Sequence, residues 1–346
     1  MSGSADLPEP TASTAELQAA LEQALSSHFD VPRTITGLER QPFWTQSSFA
    51  LEELTLHLDD NTTVQLMFKD LSRNALLEGA RRAKPIFLYN PLREIETYRT
   101  ILARHQLGAA TFYGAVVDEE IGRYWLFIEK VPGLELYYFG LDTWQEVARW
   151  LAAMHTRFIG MAGSLLPTAP LLVYDGDFYS LWLRRAQAFS RQPEQDHETQ
   201  RDLEWLAGRY DQVVERLASL PLTFIHGEFY ASNVLVQETE DGLRVCPIDW
   251  EMAAAGPGLL DLAALIAGSW TEEEKTTLAL TYHEALAPGA WRPEPEAFLT
   301  ALDYCRLHVA VQWLGWSADW TPPPEHTQNW HQEALNLAEK LGLCVR

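Results

Sequence analysis

His226-Gly227-Glu228-Phe229-Tyr230-Ala231-Ser232-Asn233 and, sixteen positions after the Asn, Asp249-Trp250-Glu251 are the residues of this 346-residue chain best suited to chemistry on phosphate. Between them, Val234-Leu235-Val236 and Leu243 to Ile248 are short apolar or β-branched runs around Glu240-Asp241-Gly242. Asp-Gly between such runs is a strong hairpin signal. In an antiparallel hairpin the residue before the first strand and the residue after the second lie side by side, so Asn233 and Asp249 become neighbours. One amide oxygen and one carboxylate oxygen held together suit Mg²⁺, which takes oxygen ligands, keeps several waters and accepts the rest from substrate phosphates. Glu228 lies on the same loop.

A protein-kinase catalytic loop runs His-x-Asp-x-x-x-x-Asn. Its Asp accepts the substrate hydroxyl proton, its Asn holds metal, and a second metal-binding Asp follows downstream. This chain keeps that spacing with Glu228 at the base position. His-Gly-Glu-x-x-x-x-Asn-Val-Leu-Val, then Ile-Asp-Trp-Glu, then Gly256-Pro257-Gly258-Leu259-Leu260-Asp261-Leu262-Ala263 resembles the aminoglycoside phosphotransferase and choline kinase group, whose usual triplet is His-Gly-Asp. The resemblance is strongest over Thr223 to Leu265 and extends in weaker, ordered matches back to about Thr36. It implies an ATP- and Mg²⁺-dependent phosphotransferase, with Glu228, Asn233 and Asp249 as the catalytic set and Asn233 and Asp249 as the metal ligands. His226 holds the loop in place, and Glu251 adds a second carboxylate to the metal or stands behind it. Asp261 caps a helix by its position and, by the resemblance, braces the loop.

The resemblance also places a phosphate-binding lysine at Lys69, at the end of Leu66-Met67-Phe68-Lys69. Glu94 and Glu96 compete as its partner, and residues two apart on a helix do not share a face. Alignment of Tyr98 with the usual aromatic of this helix favours Glu94. Gln41 to Ser48 stands where a phosphate-covering turn is expected, yet no glycine occurs between Gly37 and Gly79; either Ser47 and Ser48 donate to phosphate there, or Phe43 and Trp44 close the cleft instead. Phe127 to Val131 fits an interlobe hinge whose backbone, at Glu129 and Val131, pairs with the adenine edge. Trp313, Trp316, Asp319 and Trp320 lie where relatives shape the acceptor pocket, and serve either as core packing or as a surface for an ammonium group or a flat acceptor. His155 reads as a satisfied buried histidine.

These residues need two kinds of element to position them. Residues 1–13, rich in Ser, Ala, Pro and Thr, read as a mobile tail, after which Ser13 or Thr14 caps a helix ending near His28. Alternation predicts strands over Ile35 to Arg40, Ser48 to Leu58, Thr63 to Lys69, Phe112 to Val117 and Tyr124 to Glu129, with a helix over Arg93 to His105. From about Val131 helical spacing takes over, at Thr143 to Phe158, Asp177 to Ser190, Glu198 to Ser219, Leu259 to Gly268, Thr271 to Ala287, Glu294 to Trp313 and Thr327 to Leu341. The expectation is an α+β, two-lobed protein-kinase-like fold: a small antiparallel-sheet lobe over 14–130 that binds nucleotide, and a larger helical lobe over 131–346 with the catalytic loop, metal site and acceptor pocket.

A net charge of −22 repels nucleic acid and anionic membranes and favours a cationic small substrate. No apolar run reaches the roughly 18 residues needed to span a bilayer, and the first ten residues lack signal-peptide character, which reads as cytoplasmic. Cys246, Cys305 and Cys344 show neither disulfide nor zinc spacing. The resulting reading is a small-molecule kinase whose acceptor hydroxyl belongs to an aminoglycoside, another amino-sugar or natural product, or a choline-like alcohol. Glu228 and the glycine-free turn motivate an alternative, a catalytically weak pseudokinase that binds a nucleotide or small ligand as sensor or scaffold. A protein kinase is disfavoured because no Ala-Pro-Glu follows Asp249.

Overall fold

In the computed structural model, which describes residues 12–43, 48–105, 107–192, 197–316 and 327–343, the chain divides into two units between Pro132 and Gly133. The first unit begins at Ser13, whose hydroxyl accepts a hydrogen bond from the Glu16 N–H and caps α1 (Thr14–Phe29). Leu17, Leu21 and Leu25 recur every fourth residue and are fully buried in the core of the sheet that follows. Ala12, which composition alone puts in the tail, is buried with them. Residues 1–11 lie outside the described residues.

Five strands, β1 (Ile35–Phe43), β2 (Leu51–Leu58), β3 (Thr63–Asp70), β4 (Phe112–Asp118) and β5 (Arg123–Glu129), form an antiparallel sheet in the order β1-β2-β3-β5-β4. Leu54, Leu56 and Leu58 on β2 and Val64, Leu66 and Phe68 on β3 alternate into the core, as the period of two requires. After β3 comes α2 (Glu78–Ala83), too short to show an apolar period. Asn90 then caps α3 (Pro91–Glu96), which runs through a π-helical turn over Thr97–Leu102 into α4 (Ala103–His105). Ile95, Tyr98, Ile101 and Leu102 form its buried face.

The second unit is helical around two small sheets. Its helices are α5 (Leu141–Phe158), α6 (Ala162–Leu165), α7 (Gly176–Ser190), α8 (His197–Ala207), α9 (Tyr210–Ala218), α10 (Leu259–Leu265), α11 (Glu272–Ala285), α12 (Pro295–Leu314) and α13 (Trp330–Lys340). The single helix expected over Glu198 to Ser219 is two, interrupted at Gly208-Arg209, where glycine is a poor helix former. One sheet joins β6 (Leu134–Glu135) and the hairpin β9 (Val234–Thr239) and β10 (Gly242–Pro247) in the order β10-β9-β6. The other orders β7 (Leu172–Val173), β8 (Leu222–Ile225) and β11 (Ala254–Pro257) as β7-β11-β8. No helix among the described residues is long and apolar enough to cross a membrane.

One buried group in this unit makes stability depend on pH. His308 on α12 is fully buried, with its Nδ1 2.8 Å from the Tyr210 hydroxyl and its ring edge-on to Tyr179. Burial pushes its imidazole down from 6.5 to about 3. In the unfolded chain the same ring takes a proton near 6.5, so between these values the unfolded state binds more protons and stability falls as pH falls. The contribution is complete above pH 6.5 and is lost on acidification at up to about 1.4 kcal/mol per pH unit. Urea unfolding at pH 7.5, 6.5 and 5.5 is expected to show this loss in the wild type and a flatter profile in His308→Gln; identical slopes would refute the assignment.

Candidate active site

The β9–β10 hairpin has the register its sequence implies. Thr239 pairs with Gly242, Val236 with Val245 and Val234 with Pro247 around the two-residue loop Glu240-Asp241. Gly242 takes φ 119°, a value that favours glycine, directly after Asp241. The ladder continues one step past the strands, because the Ile248 N–H donates to the Asn233 carbonyl at 2.9 Å. Asn233 and the Ile248-Asp249 step therefore sit at one open end of the hairpin. The Asn233 side-chain NH₂ donates to the Glu228 carbonyl at 3.0 Å, which assigns its nitrogen and leaves the amide oxygen as the acceptor atom. The Glu228 carbonyl also accepts from the Tyr230 N–H at 2.8 Å, so the Glu228 backbone is pinned from both sides.

Asp249 has φ 61° and ψ 63°, a left-handed conformation that few residues other than glycine adopt. It begins a short 3₁₀ turn over Trp250–Met252 that carries Glu251. Trp250 is fully buried, stacks on Phe224 at 5.3 Å and lies 4.5 Å from the His226 ring. His226 donates from Nε2 to the Ile248 carbonyl at 2.8 Å and accepts from the Glu228 N–H at Nδ1, tying the loop to the end of the hairpin. Gly227 has φ 88°, and a Cβ there would lie 2.3 Å from the Met252 carbonyl oxygen, so the triplet requires glycine at its centre.

Asp261 does not cap α10, whose N-cap position is Gly258. As the third residue of that helix it directs its carboxylate across to the loop instead, accepting from the His226 N–H at 2.7 Å and the Gly227 N–H at 2.9 Å. His155 Nε2, at 3.3 Å, meets the same carboxylate, while His155 Nδ1 lies 2.8 Å from the Tyr282 hydroxyl. His155 is thus a buried, partnered histidine that links α5 and α11 to the loop. Removing the carboxylate by Asp261→Ala leaves two backbone N–H groups without this acceptor in a buried site. The expected cost is about 2–6 kcal/mol, about 1–3 for each unsatisfied donor, read as a lower urea midpoint at unchanged slope. An unaltered midpoint would mean the bracing bonds contribute nothing.

In the first unit Lys69 Nζ lies 2.7 Å from Glu94, with both side chains buried, whereas Glu96 turns to Arg99 at 2.6 Å. Ser48 accepts a hydrogen bond from Lys84 at 3.4 Å, and Lys69 and Lys84 each lie 5.7 Å from the centre of the Phe49 ring. Lys84, a second cation at this place, carries no motif that sequence reading could use. Ser47 lies outside the described residues. The Glu129 carboxylate is engaged by the Thr111 N–H and hydroxyl, both at 2.9 Å, and its N–H donates to the Thr111 carbonyl.

Trp313 stacks on Trp330 at 5.2 Å near the end of α12, and Trp316, beyond the last helical residue, stacks on Trp182 at 5.7 Å. Asp319 and Trp320 lie outside the described residues. The Trp313 ring also meets Tyr230, 5.4 Å away, a residue sequence reading passed over inside the motif. Burial, and then the nearby Glu228 charge, raise the Tyr230 phenol well above its ordinary value, which keeps it neutral.

The sequence profile of the phosphotransferase enzyme family matches residues 82–297, more than half of the chain. No curated protein sequence matches it. Among solved structures, a choline kinase from Cryptosporidium parvum Iowa II is similar at 13% identity and a TM-score of 0.59, covering 96% of this chain and 95% of that one. A Plasmodium vivax ethanolamine kinase is similar at 12% identity and a TM-score of 0.57, covering 86% and 81%. The GDP complex of wild-type aminoglycoside 2′-phosphotransferase-IIIa is similar at 13% identity and a TM-score of 0.53, covering 94% and 98%. At such identities these likenesses establish the two-lobed α+β fold.

Proposed function

The chain belongs to the phosphotransferase enzyme family, and from that premise we propose that it transfers the γ-phosphoryl group of ATP to a hydroxyl of a small, amine-bearing acceptor, with Mg²⁺ as the metal. The observation that carries this reading is the gathering of Glu228, Asn233 and Asp249 at one end of the β9–β10 hairpin. Its donor set fits Mg²⁺. The oriented amide oxygen of Asn233 and the carboxylate of Asp249 are hard ligands, and too few to form an all-protein cage, which suits an ion that keeps waters and shares phosphate oxygens. Bound there, the metal supplies positive charge to the phosphates. Lys69, fixed by Glu94, adds a point charge toward the phosphate oxygens, with Ser48 and Lys84 beside it.

Glu228 accepts the hydroxyl proton as the acceptor oxygen bonds to phosphorus and the bond to the ADP oxygen breaks. The transition state needs positioning more than a strong base, so a pinned Glu serves where Asp is usual. The choline, ethanolamine and aminoglycoside for which the similar enzymes are named carry amine or quaternary ammonium groups, and a net charge of −22 attracts such cations. Incubation with Mg-ATP and a panel of amino alcohols, cholines and amino-sugars, followed by ³¹P NMR, tests the reading. A new phosphomonoester with stoichiometric ADP is expected. Nucleotide binding without transfer to any hydroxyl would leave a binding protein, and no nucleotide binding would overturn the proposal.

A further inference from the structure

Among the described residues of the second unit, Tyr137 at 42% and Tyr138 at 64% are the only exposed tyrosine, tryptophan or phenylalanine rings, and they are adjacent. Their ring centroids lie 4.1 Å apart, with planes inclined at 39°. Large exposed rings side by side are unusual on a protein surface and mark places that meet a ligand or partner. This pair is held firmly. It follows β6, whose Leu134 and Glu135 pair with Val236 and Leu235 of β9. Leu136 between them is fully buried, and the Phe139 carbonyl accepts from the Trp144 indole N–H at 3.2 Å.

The turn that carries the rings, Leu136–Tyr138, packs directly on the turn Ala231–Asn233 of the catalytic loop. The pair therefore stands beside the proposed metal ligand Asn233 within the same unit. Glu135 adds a carboxylate that accepts from the Tyr137 hydroxyl, and the Tyr138 side chain is hydrogen-bonded to the same phenol oxygen. The faces of Trp313 and Trp316 are stacked on other tryptophans, whereas these two rings present aromatic surface to solvent. Aromatic faces attract an ammonium within about 6 Å, and a neighbouring carboxylate strengthens that preference. The charge of −22 disfavours an anionic occupant.

We propose that Tyr137, Tyr138 and Glu135 form the recognition surface for the ammonium group of the acceptor, an alkylammonium or quaternary ammonium alcohol. The assignment rests on the kinase reading and names its acceptor-side contact. It is tested on the full chain by ¹H saturation-transfer NMR, with tetramethylammonium as probe and tert-butanol as neutral analogue. Mg-ATP is titrated calorimetrically into the same samples.

The expected result is stronger transfer to tetramethylammonium than to tert-butanol. Its affinity should fall about tenfold in the Tyr137→Ala/Tyr138→Ala variant and severalfold in Glu135→Gln, while Tyr138→Phe, which keeps the π face, retains it. Because both rings are exposed, their removal leaves the core intact. Equal transfer to the two probes, or a signal unchanged in the double variant, overturns the assignment. So does a loss of Mg-ATP affinity in that variant with the cation signal intact, since the rings would then serve the nucleotide. Failure of wild-type protein to bind Mg-ATP sinks the kinase reading separately, whatever the cation does.

Discussion

Glu228→Gln is expected to lower kcat by about 10²–10⁴-fold, the range general-base catalysis supplies, with Mg-ATP affinity unchanged. Gln keeps the length and shape of the side chain and can still accept a hydrogen bond from the acceptor hydroxyl, but it cannot take the proton. The backbone gives the variant no reason to relax. The Glu228 N–H is bonded to His226 Nδ1, and its carbonyl receives both the Tyr230 N–H and the Asn233 amide. A change in rate therefore reports the carboxylate rather than a displaced loop. The companion variant Glu228→Asp restores the usual residue of the family while shortening the reach by roughly 1.5 Å, and misplacement of about 1 Å costs on the order of 10²-fold. If the loop is built for Glu, Asp is slower than Glu. If Asp is faster, this site is a weakened form of the usual one. Unchanged turnover in Glu228→Gln would remove Glu228 as the base, and the comparison of single-turnover rates with steady-state kcat shows whether chemistry is being read.

How much of this was legible in advance depended on the range of the interaction. The hairpin was written locally: Asp-Gly between two apolar runs set the register, and the register put Asn233 next to the Ile248-Asp249 step. The Lys69–Glu94 pair followed from the family resemblance: periodicity allowed only one of two carboxylates two residues apart to face the lysine, and the alignment of Tyr98 chose Glu94. What escaped was either too short or too distant. Strands β6, β7, β8 and β11 span two to four residues, too few for a period to show, and they become strands only through partners remote in sequence. That Asp261 braces the loop was implied by the resemblance alone, and the bonds that do it, to His226 and Gly227 and on through His155 to Tyr282, join α5, α10 and α11 to the loop through side chains that no local pattern connects. Position alone suggested a helix cap for Asp261, but its carboxylate reaches across space to two other amides. Tyr137 and Tyr138 belong to no sequence pattern, and only the fold shows that they lie on the surface.

The backbone at Asp249 makes the second large prediction unusually clean. With φ 61° and ψ 63°, Asp249 occupies a region that strains most side chains but that Asn, like Asp, tolerates well. Asp249→Asn therefore removes one negative charge while keeping the conformation, whereas Asp249→Ala would add a strain cost on the order of 1 kcal/mol and confuse loss of a ligand with loss of geometry. A neutral amide is a poor substitute for a carboxylate on a divalent cation whose other proposed protein ligand is the amide of Asn233. The metal's charge on the phosphates is worth several kcal/mol, so turnover is expected to fall by at least about 10³-fold. Calorimetric binding of Mg-ATP should be lost, and the thermal midpoint of the ligand-free protein should stay where it was. Raising Mg²⁺ should recover part of the rate if the amide still coordinates weakly. Retention of wild-type Mg-ATP affinity in Asp249→Asn would mean that the carboxylate is not a ligand, and with it would go the argument that the hairpin exists to bring Asn233 and Asp249 to one metal.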